Sequence, residues 1–509
     1  MKSKLTTSVS SKKLIVSLLL VCSLLVSIFS LNASAATYTV TLAQGDSSNA
    51  NDCLAFDNWL DQVSSGNNYV RTRVGWTKVN NTAQLVTPRA GATDLINAKN
   101  RNVLYWSSHG SSNANGPSLR VDNGAFNVAQ TLGVSGSNWQ TNSEWRNSTI
   151  TVAMFAACKT LDNTHGQVKF MARLLRASNL RVITGYHEAA PQSPYDKNIV
   201  DAFFGSGSHI GVTDGESIRS SWKLSNEWHN TQTAWAVLCY QSNNNQFYRM
   251  PGFPGLTYNA PAANSTVYRY WSQYPNGQII NPAFAQGGDM QGDNTSSLPF
   301  VIYASNTGLP VDNATVINLV GDSVKATTVS DSTIFSREMV DADVSLDPIR
   351  QFQIANDFIA NTIRSESLAS AILTESAVIR EEIDPEFGLV AGTETVVGMT
   401  YAYSNQYNGI RIVGNFIKVG TDVEGIEFFI NRWKDVEAPV VSTRNSSVGL
   451  SALITQESAL SELGASFDEV KSMELVYAPV SDNMYRLCYE IMFFDAPTQY
   501  VDSETGKII

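Results

Sequence analysis

The chain has 509 residues and a formal net charge of −11, with 35 Lys and Arg against 46 Asp and Glu. That surplus of acids excludes nucleic acid and anionic membrane surfaces as main partners, since both repel a protein of this sign. Only 16% of residues are charged while Asn, Ser and Thr abound, so the surface is neutral-polar and names no substrate. By length alone the chain holds roughly two to four domains, each large enough for its own core.

The first 35 residues read as a secretory signal. Lys2, Lys4, Lys12 and Lys13 form a positive start, Leu14 to Leu31 is apolar apart from scattered serines, and Ala33-Ser34-Ala35 supplies a small-residue cleavage pattern. Removing it takes the net charge from −11 to −15, because it carries four lysines and no acid. No later stretch approaches transmembrane length, so the expectation is an exported protein, secreted or held at the cell envelope, with no stable membrane span after cleavage. Cys53, Cys158, Cys239 and Cys488 remain. Four cysteines in such a length are not a disulfide scaffold, although one bridge, for instance Cys53 with Cys239, is compatible with export.

From Tyr38 to about Tyr240 short apolar runs alternate with helical patterns. Strands are expected at Tyr38–Leu42, Val103–Trp106, Ile150–Ala156, Arg181–Gly185 and Trp235–Cys239. Between them, Gln167–Ala177 repeats Val168, Met171 and Leu175 on one face with Lys169, Arg173 and Arg176 off it, and Ile218, Trp222 and Trp228 mark a second helix. This alternation predicts an α/β domain over 36–284 with a mostly parallel sheet covered on both faces. Pro251–Phe284 reads as loops that finish the domain, and the Gly-rich segment 285–299 as a linker. In 300–509 an α+β region is expected. It opens with charged helices at Asp347–Arg364 and Ser367–Glu381, followed by strands at Thr395–Tyr403, Ile410–Val419 and Gly425–Trp433. A helix at Thr455–Leu463 then precedes strands near Met473–Tyr477 and Tyr485–Phe494.

Two strand ends carry the candidate chemistry. Val103-Leu104-Tyr105-Trp106-Ser107-Ser108 runs into His109-Gly110, and Ile150 to Ala157 runs into Cys158, 49 residues after His109. Ligands bind beyond the carboxyl ends of strands in open α/β sheets, where both residues fall. Alone, a buried cysteine packs as a small hydrophobe and His-Gly marks a turn. Together, in order and at two strand ends, they read as a site.

The paired motifs resemble those of the caspase–gingipain–legumain superfamily of cysteine peptidases, in which an apolar block ends in His-Gly and a second ends in Ala-Cys or Gln-Cys. The resemblance covers roughly Tyr38 to Tyr240 and implies a caspase-like sheet. It makes Cys158 the nucleophile and His109 the general acid/base, with the N–H groups of Gly110 and Cys158 as the oxyanion hole. It also implies peptide or protein as substrate, and no cofactor or metal. Ala157-Cys158-Lys159-Thr160 departs from the caspase pattern, which leaves the specificity pocket open. Glu188 and Asp196, with Asp162 and Asp214, are candidates to line a pocket for a basic residue. No H-E-x-x-H, G-x-S-x-G or phosphate-binding glycine loop occurs.

In the C-terminal region, Ile454-Thr455 opening a helix, a strand pair, and Tyr500-Val501-Asp502-Ser503-Glu504-Thr505-Gly506 resemble the PepSY modules of secreted-protease propeptides. Tyr407-Asn408-Gly409-Ile410 resembles the neighbouring module of such propeptides. This implies contact between the two halves and an autoinhibitory, zymogen-like role for the second. The competing expectation is a non-catalytic exported or cell-envelope binding protein that keeps a degenerate caspase-like fold.

Overall fold

A computed structural model describes residues 37–509 except 49, 63–67, 123, 165, 192–194, 206–208, 229–233, 241–246, 254–264, 274–298, 309–310, 312–324, 330–331, 364–367, 369–370, 438–452, 482 and 494–497. The signal read over 1–35 and nearly all of the linker 285–299 lie outside the described residues. Five parallel strands build the first half: β1 (Thr37–Gln44), β2 (Asn68–Val74), β3 (Val103–Ser107), β4 (Val152–Ala156) and β5 (Val182–Tyr186). Their spatial order is β2-β1-β3-β4-β5. Antiparallel strands β6 (Trp235–Tyr240) and β7 (Val267–Gln273) extend the sheet beyond β5.

Strand alternation sends side chains to two cores. Val40, Leu42, Val103, Tyr105 and Met154 point to a core shared with α1 (Asn51–Gln62), α3 (Tyr195–Phe204) and α4 (Ile218–Glu227). Ala43, Leu104, Trp106, Ala153 and Phe155 point to the opposite core, beneath α2 (Val168–Ala177). The architecture is α/β, with helices on both faces of a large mixed sheet. All five strands expected in this half are present, with ends shifted by one or two residues. Arg173 differs from its expected place: it is buried, because Val134, Ser135, Gly136 and Pro385 carbonyls and the Glu386 carboxylate satisfy its guanidinium.

Two elements differ in kind. β7 falls inside the stretch read as loop, and the segment read as a second charged helix is strand β8 (Ile372–Asp384). Thr374, Val378, Ile379 and Ile383 are β-branched and suit a pleated surface better than a helix. The polar residues that obscured both strands answer each other across them. Arg269 of β7 stands opposite Glu381 of β8, at 2.7 Å, with both side chains buried. The proposed Cys53–Cys239 bridge is also absent: both are free and buried, and the Cys53 thiol donates to the Ala43 carbonyl.

The two halves share one sheet. β7 pairs with β8 over seven positions, and the ladder continues through β9 (Thr395–Tyr407), β10 (Ile410–Asp422) and β11 (Gly425–Asn431). Helix α5 (Pro348–Thr362) packs on this antiparallel part, with Phe358 and Ile359 against Tyr401 and Phe429. Its Asp347 cap accepts from Ile349 N–H, and Pro348 stands in its first turn. Past β11 lie α6 (Gln456–Leu463), β12 (Val470–Ser481), β13 (Met484–Phe493) and β14 (Gln499–Asp502), with β13 in the middle of its strand trio.

All ten residues of α4 are buried between the halves. Arg219, Lys223 and Glu227 recur every four residues, so they share one helical face. Arg219 pairs with Asp341 at 2.8 Å, Lys223 with Glu427, and Glu227 with Lys418 at 3.3 Å. Removing one member of a buried pair strands the other, at a cost of about 3–5 kcal/mol. Lys223→Ala should therefore lower the melting temperature sharply, and Lys223→Met with Glu427→Leu should recover most of the loss. A chain ended near Ala285 should show no cooperative thermal transition, because it uncovers β7 and leaves Arg219 and Lys223 without their acids. Calorimetry of these forms checks both expectations.

Candidate functional site

The site begins with register. Ser107 of β3 lies opposite Ala156 of β4, and Ser108 N–H donates to the Ala156 carbonyl at 3.4 Å. Two residues further along each chain, at the same level, come His109 and Cys158. The period of two carries Cys158 to the face that holds Tyr105 and Met154, and the cysteine belongs to that core. Both candidate residues therefore leave the carboxyl edge from neighbouring parallel strands.

Three contacts fix the place. Buried Asp46, just past β1, accepts the His109 backbone N–H at 2.7 Å and a Gln44 side-chain N–H at 3.2 Å. The Trp106 indole donates to Ser108 Oγ at 3.0 Å, and that hydroxyl donates to the His109 carbonyl at 3.0 Å. On the cysteine side, Ala190 N–H donates to Cys158 Sγ at 3.2 Å. Cys158 itself is 4% exposed.

Gly110 is pressed against the Cys158 backbone. A Cβ there would lie 2.3 Å from the Cys158 carbonyl oxygen and 3.0 Å from its nitrogen. Only glycine permits that approach, so residues 109–110 and 157–158 form one compact corner.

At Lys159, the residue after Cys158, opens a cleft of about 430 Å³ whose lining includes neither His109 nor Cys158. Lys159, Asp162, Glu188, Trp271, Leu389 and Glu394 are among the residues that line it. The chain is led there by two backbone bonds, Lys159 N–H to the Glu188 carbonyl at 2.8 Å and Leu161 N–H to the Tyr186 carbonyl at 3.0 Å. Burial raises the Asp162 pKa, but hydrogen bonds from Thr164 and Ser112 outweigh it and leave the carboxyl below its ordinary value. Burial, then the nearby Arg269 charge, push His187 down to about 4, so its ring is neutral at pH 7; its Nε2 is 2.8 Å from the Ser272 carbonyl.

Of the sequence-derived pocket candidates, Glu188 and Asp162 line the cleft. Asp196 and Asp214 are not among its lining residues. Asp196 stands in the first turn of α3, where burial and then the charge of Asp52 push it up to about 7. Asp52 is itself raised by burial against hydrogen bonds from Ser107, Cys53 N–H and Tyr105. Asp214 accepts the Gly211 N–H at 3.0 Å. Sequence reading missed Asp46, although an aspartate just past a central strand is a signal in itself. It also missed Ala190, whose role belongs to its backbone, and Leu389 and Glu394, which come from the other half.

Among the described residues no His, Cys, Asp and Glu group of three or more is arranged to hold a metal, and no helix is long and apolar enough to cross a membrane. The chain matches no protein-family model and no curated protein.

Gly110→Ala should displace the Cys158 backbone and cost about 1–3 kcal/mol of stability, as over-packing does. Thermal melting, together with the alkylation rate of Cys158, reads this out. Asp196 gives a pH signature. The folded chain keeps this proton up to about 7, whereas the unfolded chain releases it near 3.8. That contribution is complete below 3.8 and is lost as pH rises through 7. Asp196→Asn should raise the melting temperature at pH 8 relative to the parent and change it little at pH 4.

Proposed function

We propose that this chain is an exported cysteine peptidase with Cys158 as nucleophile and His109 as general acid/base. The observation that carries the reading is the corner where in-register β3 and β4 bring His109-Gly110 against Ala157-Cys158. The Cys158 thiolate would attack the scissile carbonyl carbon, and the N–H groups of Gly110 and Cys158 would receive the oxyanion. His109 would protonate the departing amine, leaving an acyl-thioester on Cys158. Water, deprotonated by His109, would then release the carboxylate product and the free thiol.

The parallel sheet with helices on both faces supports assignment to the caspase–gingipain–legumain group. For the C-terminal region, the PepSY-like reading is supported by α6 with its Thr455 cap and by the turn in which Asp502 accepts the Glu504 and Thr505 N–H groups. Export is supported by the lysine-rich start, apolar run and Ala33-Ser34-Ala35 of the sequence. The buried ion pairs along α4 argue for a permanent association of the halves, so the C-terminal region enters this proposal as part of the enzyme rather than its inhibitor. The near-complete burial of Cys158 is the observation favouring the second reading, an exported binding protein with an idle site.

Alkylation separates the two. Burial pushes the Cys53 thiol well up and raises Cys239 and Cys488 to about 12, so these three should stay unmodified in the native protein. Iodoacetamide at pH 7 should label Cys158 first, and His109→Ala should slow that labelling. Cys158→Ala should abolish hydrolysis of a mixed peptide library with little change in melting temperature. Labelling of Cys158 no faster than the other three would sink the peptidase reading.

A further inference from the structure

We propose that Arg411, Glu474 and Glu490 form a proton-operated clasp that fastens the β12–β14 unit to β10 and loosens as the medium turns alkaline. The clasp belongs to the C-terminal region and holds whether or not Cys158 cuts peptides.

Geometry comes first. Glu474 of β12 and Glu490 of β13 stand directly opposite each other in the antiparallel ladder. Two like charges in that position repel. Arg411, near the start of β10, reaches both carboxylates with a single nitrogen, Nη2. In the backbone ladder β10 meets β12 at one position, Ile412 with Tyr477. Ile410 and Ile412 pack against Tyr477 and Leu487, and Val413 against Val476 and Cys488. The charged cluster therefore sits inside the joint between β10 and the last three strands.

Charge comes second. The cluster holds one cation and two acids, with Arg411 7% and Glu490 1% exposed. With both acids ionised, one negative charge is in excess where little water can reach it, which is costly. One proton kept between the two carboxyls removes the excess and supplies a donor for the bond between them. The neighbouring groups leave this balance unchanged. Tyr500 of β14 donates to Glu490 Oε1 at 2.7 Å. Asp502 of the same strand is engaged by Arg486 of β13, which also pairs with Glu504. Cys488, pushed by burial to about 12, stays neutral. Among the described residues no second cation pairs with either glutamate.

The proton follows from this arrangement. Burial pushes Glu474 up to about 7, against the pull of Arg411 and with the charge and hydrogen bond of Glu490 adding to the rise. The unfolded chain releases the same proton near 4.5. The stabilisation is complete below 4.5 and is lost as pH rises through 7. Neutral pH lies at the midpoint, where a small change in the medium shifts the clasp most. Because the two acids interact strongly, the proton belongs to the pair rather than to Glu474 alone. The side chain of Glu474 is 16% exposed against 1% for Glu490, so it is the edge through which the proton exchanges with water.

The test follows hydrogen exchange of the full chain by mass spectrometry at pH 6 and pH 8.5, corrected for the intrinsic pH dependence of exchange. Peptides from β12 and β13 should exchange about tenfold faster at pH 8.5, while those from β9 change little. Glu474→Gln and Glu490→Gln, made separately, should each remove that rise, because either leaves one acid facing one cation. No rise in the parent, a rise of equal size in β9, or a rise that survives either substitution would overturn the proposal. Survival in Glu490→Gln alone would mean a lone buried acid rather than a shared proton. Glu474→Gln should also melt no lower than the parent at pH 8.5. A form that melts far below it, or fails to fold, would count against the clasp, since an amide should replace a protonated carboxyl at that place.

Discussion

The pairing of β3 with β4 is the constraint on which the site depends. Two parallel strands in fixed register must deliver whatever follows them to the same level of the sheet. A shift of one residue would turn one of the two side chains toward the opposite core. That slip is opposed from both faces, since Val103, Tyr105 and Met154 fill one core while Leu104, Trp106 and Phe155 fill the other. The corner of His109, Gly110 and Cys158 is in this sense a consequence of core packing, and Asp46 and Ala190 then trim it through backbone hydrogen bonds.

The second organising feature is polar. The seam between the halves combines a β ladder with buried ion pairs along α4, where apolar packing alone would have sufficed for adhesion. Such pairs gain little over well-packed hydrophobic residues, but each fits only its own partner. Spaced at helical repeats, Arg219, Lys223 and Glu227 meet Asp341, Glu427 and Lys418 in one alignment only. The same alignment carries Leu389 and Glu394 of the β8–β9 connection to the cleft.

Burial also divides the titratable groups by task. The three cysteines outside the corner have their thiols pushed upward, which keeps them poorly reactive. His187 is kept neutral by burial and by Arg269, leaving the carboxylates to dominate the cleft. Half-buried Asp196 lies near buried Asp52, so each charge opposes the other.

The amino-acid sequence by itself determined β1, β3, β4, β5 and β6, because their apolar runs are long and flanked by clear breaks; β2, with Arg71 and Arg73 in its run, was not among the expected strands. The sequence also determined the two motifs at the ends of β3 and β4 and the α5 and α6 helices, whose caps are local. It misread β7 and β8, because Arg269 and Glu381 look like surface residues until a partner 112 residues away stands opposite. For the same reason the sequence could point to Glu188 and Asp162 but not to Leu389 and Glu394, and it left Asp196 as a pocket candidate although it stands among buried acids. Local propensity and periodicity act over a turn or a strand, and they suffice to place His109 and Cys158 at a sheet edge. Which side chains face it across a cleft is decided only when distant segments close into one sheet, since the desolvation and charge pairing that fix them exist only in the folded chain.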